Sequence, residues 1–163
     1  MADPVRSKLA ALPELLALRR QAKAQGKTVV FTNGVFDILH RGHVEYLQKA
    51  RALGDLLIVG LNSDASVRRI KGPRRPLCGQ EDRAAVLSAL SCVDHIVLFD
   101  QDTPKELIGS LLPDILVKGA DYSVDQIVGA DAVLKNGGQV VPIELTPGKS
   151  TSELIKNIVE RYS

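Results

Sequence analysis

Five short, continuously apolar runs, separated by stretches of helical periodicity, constrain this chain more than any other feature. The runs are TVVF (28–31), DLLIVGL (55–61), DHIVLF (94–99), DILVKG (114–119) and QVVPIEL (139–145). A strand with one wet face alternates apolar and polar residues, whereas a strand buried on both faces of a parallel sheet is apolar throughout. Between the runs, Val44 to Leu53, Glu81 to Leu90, Thr103 to Leu112 and Ala130 to Lys135 carry helical patterns. Strands alternating with helices are joined by right-handed crossovers. The expected fold is α/β, a doubly wound parallel five-stranded sheet with helices on both faces. Pro142, lacking an amide donor, puts the last run at a sheet edge.

Before the first run, residues from about Leu9 to Lys23 place Leu12, Leu15 and Leu16 at helical spacing, with Arg19 and Arg20 near the end and Gly26 beyond. This reads as an amphipathic helix, so residues 1–26 are expected to form an N-terminal helical extension and residues 27–163 a single domain. A chain of 163 residues suits one core. The segment RRIKGPRRPLCGQ (68–80) is the loop of unusual composition.

Composition narrows the partners. Hydrophobic residues at 45% and charged residues at 25% exclude a disordered chain. A net charge of +2, with 4% aromatics and no Trp, argues against a nucleic-acid binder. Cys78 and Cys92 are too few and too far apart for a disulfide framework or a four-thiolate zinc site, and fit free thiols in a reducing cytosol. Asp3, Glu14, Arg19 and Arg20 interrupt any stretch that could serve as signal peptide or membrane span. The expectation is a soluble, cytoplasmic protein with no membrane partner.

The segment FTNGVFDILHRGHVEYL (31–47) holds two of the three histidines. It is the first strand-to-helix turn, the usual phosphate contact of an open α/β sheet. Gly34 lets the backbone approach a ligand, and Gly42 keeps the first helical turn clear for an anion. A metal site would need a third protein ligand, and His95 opens a different strand. No GxSxG elbow supports a nucleophile served by either histidine. Two structural histidines at a helix start are the plain alternative. GKST (148–151) lacks the upstream glycine of a P-loop, since Glu144 stands there.

HRGH after NGVFDILH resembles the HxGH signature of the cytidylyltransferase-like nucleotidyltransferase superfamily, whose fold is Rossmann-like. RRIKGPRRPLCGQEDRAAVLSALSCVDHIVLFDQDTP, ILVKGADY and PGKSTSELIKNI resemble, in order, the later motifs of the heptose-1-phosphate adenylyltransferases. The likeness runs from about Thr28 to the C-terminus. That family also occurs fused behind a sugar kinase; no kinase sequence is present here, so the free-standing form is expected.

The resemblance implies transfer of AMP from ATP to D-glycero-D-manno-heptose 1-phosphate. The products would be ADP-heptose, for lipopolysaccharide core or surface-glycan biosynthesis, and pyrophosphate. The alternative is a cytidylyltransferase acting on a polyol phosphate such as glycerol 3-phosphate, since HxGH serves both. A third reading is a nucleotide-sensing module without turnover, against which the retained histidines, Lys71 and Arg83 argue.

The acceptor phosphate is already anionic, so alignment and positive charge matter more than a general base. His40 and His43, as cations or at least N–H donors, are expected to hold the α- and β-phosphates. Lys71 and Arg83 complete the implied catalytic set, Arg83 pointing from its helix toward the cleft. Thr32, Asn33, Gly34, Phe36, Gly42, Lys118, Gly119, Ser150 and Thr151 are the implied nucleotide contacts. Asp37 and Arg75 are placed on the sugar-phosphate side. A helix cap is the alternative for Asp37, and a solvated basic loop for Arg68, Arg69, Arg74 and Arg75. Ser150 and Glu153 also read as a capping box. Leu154 stands where the superfamily often has Arg, a place Lys149 could fill, and Ala120 replaces a frequent glycine. Mg²⁺, held mainly by the triphosphate, is the implied cofactor, with no metal ligand on the protein. ATP and a sugar 1-phosphate are the expected partners; homo-oligomer formation is left open.

Overall fold

The parallel runs become a single sheet in the computed structural model, which describes residues 8–121 and 123–162. Strands β1 (Val29–Gly34), β2 (Leu56–Asn62), β3 (His95–Phe99), β4 (Ile115–Gly119) and β5 (Gln139–Ile143) pair in the order β3-β2-β1-β4-β5. All four pairings are parallel, with Val29 opposite Leu56 and Gly34 opposite Leu61 in the central one. Pro142 lies in edge strand β5, as its missing donor requires.

The helices are α1 (Leu12–Ala24), α2 (Arg41–Arg51), α3 (Asp64–Lys71), α4 (Gln80–Ser88), α5 (Lys105–Leu111), α6 (Ala130–Lys135) and α7 (Thr151–Tyr162). Two apolar clusters show the double winding. Tyr46, Leu47 and Ala50 of α2 and Leu87 of α4 pack on one face of the sheet with Val30, Leu57 and Val59. On the other, Leu15 of α1, Ile108 and Leu111 of α5 and Val133 of α6 pack with Val29, Phe31 and Ile58. The period-two orientation of side chains along each strand sends neighbours to opposite clusters.

The N-terminal helix belongs to this core. Leu15 is fully buried, and Arg19 reaches the start of β4, where it donates to Asp114 Oδ1 at 2.7 Å and to the Leu112 carbonyl. Residues 8–10 extend the sheet beyond β3. Leu9 forms a parallel bridge to Ile96, whose amide donates to the Lys8 carbonyl and whose carbonyl accepts from Ala10.

One segment differs from the sequence expectation. Arg68 to Lys71 are the last turns of α3 rather than the start of a loop. Ser63 caps that helix, its Oγ accepting from the Ser66 amide. The helix is short and buries only Ser66 and Val67, so it offers too little apolar periodicity to read.

Candidate active site

The strand order reverses between β1 and β4, and a ligand crevice forms above the carboxyl ends of strands at such a point. Two adjoining chambers open there, of about 500 and 280 Å³. They share one border: Asn33 to Phe36, His43, Lys118 and Thr151. The larger chamber also has Asp37, Lys71 and Arg75 with an apolar wall of Ile70, Pro104, Ile127 and Val128. The smaller one adds His40, Gly42, Tyr46, Gly119, Lys149 and Ser150.

The border is shaped by the turn after β1. Phe36 takes φ of 47°, a left-handed conformation uncommon for a bulky residue, and lays its ring over Gly34. A Cβ on Gly34 would sit 2.9 Å from that ring. The same ring meets His43 edge-on, with centroids 5.2 Å apart. His43 in turn stacks on His40 at 3.8 Å. A Cβ on Gly42 would lie 3.1 Å from the His40 ring and 3.0 Å from Lys149 Cβ, so glycine there admits the stack.

Burial, and then the neighbouring His40, lower the His43 imidazolium to about 4; burial and Lys149 lower His40 as well. Of the two expected states, cations or neutral N–H donors, these shifts favour the second: both rings are neutral near pH 7, each with one N–H to donate. Both His40 nitrogens, His43 Nδ1 and Asn33 Oδ1 are buried without a hydrogen-bond partner among the described residues. Four of the five such atoms among the described residues gather here, the fifth being Arg19 Nη1, and since orphaned buried groups are costly, the cluster suits a ligand that brings the missing partners.

Several expected site residues are committed elsewhere. Arg83 is turned away from the chambers and almost wholly buried. Its guanidinium donates to the carbonyls of Val35 (2.7 Å), Asn62 (2.9 Å) and Cys78 (3.0 Å) and to Asp64 Oδ1 (2.8 Å). It ties the turn after β1 to the end of β2 and to the loop before α4, because α4 buries the Arg83 side and exposes Val86. Thr32 also faces inward, its Oγ1 bonded to Tyr46 Oη and donating to the Val117 carbonyl. Asp37 neither caps a helix nor stands free. It accepts from Arg75 Nε at 2.6 Å and from the amides of Leu77 and Cys78. Burial opposes its charge, but these donors outweigh it and hold the carboxyl below its usual range. Arg75 is thus fixed at the chamber wall by Asp37.

Lys71 is exposed on the rim of the larger chamber. Arg69 is taken by Asp102 at 2.6 Å. Ser150 caps α7, its Oγ accepting from the Glu153 amide, and Thr151 opens that helix at the border. Lys149 lines the smaller chamber on the His40 side. Tyr46, Asn62 and the apolar wall carry no motif and were not legible beforehand; only their position at strand ends or in α2 could have suggested them. Cys78 and Cys92 are free thiols.

Among the described residues, no three His, Cys, Asp or Glu side chains gather as a metal site, and no helix is long and apolar enough to cross a membrane.

The cytidylyltransferase-like family model matches residues 31–157. Bifunctional protein HldE of Syntrophotalea carbinolica is 58% identical over 151 residues, covering 93% of this chain and 30% of that protein. The protein of the same name from Geobacter sulfurreducens is 54% identical over 156 residues, covering 96% of this chain and 32% of that one. The chain thus spans about 30% of the length of the curated relatives it matches. The lipopolysaccharide core biosynthesis protein from Thermoplasma volcanium superposes with a TM-score of 0.59 at 30% identity, covering 74% of this chain and 98% of that one.

Proposed function

Because the chain belongs to the cytidylyltransferase-like family, a family of nucleotidyltransferases, we propose that it transfers AMP from ATP to D-glycero-D-manno-heptose 1-phosphate, forming ADP-heptose and pyrophosphate. The observation that carries this reading is the pair of chambers meeting at a border of orphaned polar groups. A reaction between two phosphates needs two sites with one contact line. The likeness to the HldE proteins and to a lipopolysaccharide core biosynthesis protein directs the acceptor toward a surface-glycan heptose.

In this reading an oxygen of the sugar phosphate attacks the α-phosphorus of ATP, and the bridging oxygen to the β-phosphorus leaves with the electron pair. The nucleophile is already ionised, so the protein contributes position and charge. His40 and His43 turn their N–H groups to the α- and β-phosphates, and an anion beside them favours their protonation. The N-terminus of α7 adds a dipole that favours the same anion. Lys71 at the open rim receives a phosphate of either substrate.

The cavity carboxylates are too few to hold a metal by themselves: Asp37 is spent on Arg75 and two amides and Asp102 on Arg69, which leaves Asp121 in the smaller chamber. Such a donor set fits a divalent ion, Mg²⁺ in this proposal, that arrives on the triphosphate. Such an ion would supply positive charge to the triphosphate. The reaction is that of a cytoplasmic enzyme using small-molecule substrates.

Pyrophosphate release measured with ATP or CTP, each against heptose 1-phosphate and glycerol 3-phosphate, tests the proposal. Turnover is expected to be highest with ATP and heptose 1-phosphate. Equal or faster turnover with CTP would overturn the adenine preference, and preference for glycerol 3-phosphate would overturn the acceptor.

A further inference from the structure

Building on the adenylyl-transfer reading, we propose that Lys118 is a catalytic cation: its ammonium sits where the acceptor phosphate meets the α-phosphate of ATP and neutralises the charge that builds there. Lys118 is the penultimate residue of β4, beside the end of β1, since the register that pairs Val30 with Ile115 and Phe31 with Leu116 runs on toward Asn33 and Lys118. It is one of seven residues that line both chambers. If each chamber takes one substrate, the reacting atoms lie along that shared border.

Of those seven, Lys118 alone carries a formal charge near neutral pH. The others are Asn33, three apolar or glycine positions, Thr151 and the neutral His43. The remaining cations are displaced or engaged. Lys71 borders only the larger chamber and Lys149 only the smaller, while Arg75 is paired with Asp37 and Arg83 is buried behind the turn. Lys118 is half-buried and has no ion-pair partner among the described residues. The titratable groups that line the two chambers with it are His40, His43 and Tyr46 on the α2 side, Asp121 after its own strand, Lys149 before α7, and Asp37, Lys71, Arg75 and Asp102 around the larger chamber.

A half-buried ammonium with no anion is poised to receive one. Burial lowers its pKa to about 8, and a phosphate beside it would reverse that shift. Lys118 gives up no proton in the step. It stabilises the transferring phosphoryl group as negative charge spreads over its oxygens, an effect largest in the transition state.

Two variants test the assignment: Lys118→Met keeps the length without the charge, and Lys118→Arg keeps the charge. Lys118→Met is expected to lower kcat by about 10²–10³-fold, with the ATP Kd changed by less than about threefold. Lys118→Arg is expected to recover at least about tenfold of that loss, and to move the alkaline limb of the kcat/KM profile, near pH 8 in the unaltered protein, to higher pH. A Lys118→Met kcat within about threefold of the unaltered protein would overturn the proposal. So would a loss confined to ATP affinity, or an unmoved alkaline limb in Lys118→Arg. If Lys118→Met does not fold, the Arg profile decides. The assays use whichever substrate pair turns over, so failure with heptose 1-phosphate and ATP sinks the substrate reading while leaving the Lys118 test intact.

Discussion

The imidazole rings of His40 and His43 lie face to face, centroids 3.8 Å apart and planes 21° from parallel. At that distance a positive charge on one ring disfavours a second on the other. The His43 pKa of about 4 lies below the ordinary 6.5, so between these values the unfolded chain binds more protons than the folded one. Stability is therefore expected to rise with pH from about 4 to about 6.5 and to be lost as pH falls through that window. The contribution is on the order of 2 kcal/mol, reduced from the bare shift by partial solvation of the ring. Urea titrations of the protein and of His43→Gln check this: the variant should show a flatter pH dependence.

His43→Ala should lower kcat by about 10²–10³-fold while ATP binding remains nearly intact, because its contact strengthens as charge builds. Stopped-assay kcat, calorimetric Kd and melting temperature on one preparation separate this from a structural role. A folded variant with near-normal kcat would refute it.

For Arg83 the structure predicts a different signature from that of a phosphate contact. Arg83→Met strands Asp64 and three carbonyls, and loss of one partner from a buried charge pair costs about 3–5 kcal/mol. The melting temperature should fall by roughly 6–20 °C for a chain of this size. Unchanged thermal stability with lost turnover would restore a direct contact to substrate.

Asp37→Asn should release Arg75 and weaken the grip on the Leu77 and Cys78 amides. The expected cost is about 1–3 kcal/mol, with KM for the sugar phosphate rising as Arg75 loses its fixed position. Below the ordinary carboxylate value of 3.8 the unaltered protein should lose the same contribution as Asp37 protonates, since its folded pKa is depressed. Acid titration of both forms reads the difference.

Lys71→Ala is expected to leave stability within about 0.5 kcal/mol, because the side chain is exposed at the chamber rim. Its kcat/KM should nonetheless fall by about tenfold or more through loss of a charge-assisted phosphate contact. Equal kcat/KM would make Lys71 an ordinary solvated residue.

Much of this architecture was legible because burial on both faces writes itself as unbroken apolar runs, from Val29 in β1 to Ile143 in β5. The site was legible where backbone demands are local: Gly34 under Phe36, Gly42 under His40, and Ser150 capping α7. Arg83 misled because a charged residue on a helix next to a cleft is normally read as solvent-facing. Its four acceptors come from segments up to 48 residues away, and no periodicity announces them. Thr32 misled likewise, since strand alternation sends it toward Tyr46 and the core. The histidine charge state was hidden for a related reason: it depends on burial and on the stack, and a sequence motif shows neither.

The short run from Lys8 to Ala10 has a consequence beyond the packing of α1. Sheet margins offer unpaired amides and carbonyls to any passing strand, a route to fibrous association. Here those residues cover the β3 margin at Ile96, and Pro142 removes a donor from β5 at the opposite margin. A newcomer must either evict residues 8–10 or dock along an incomplete ladder. Lateral growth of one molecule onto another is thereby discouraged at both flanks, and trimming the chain through Ala10 would uncover the β3 margin and make aggregation the expected failure.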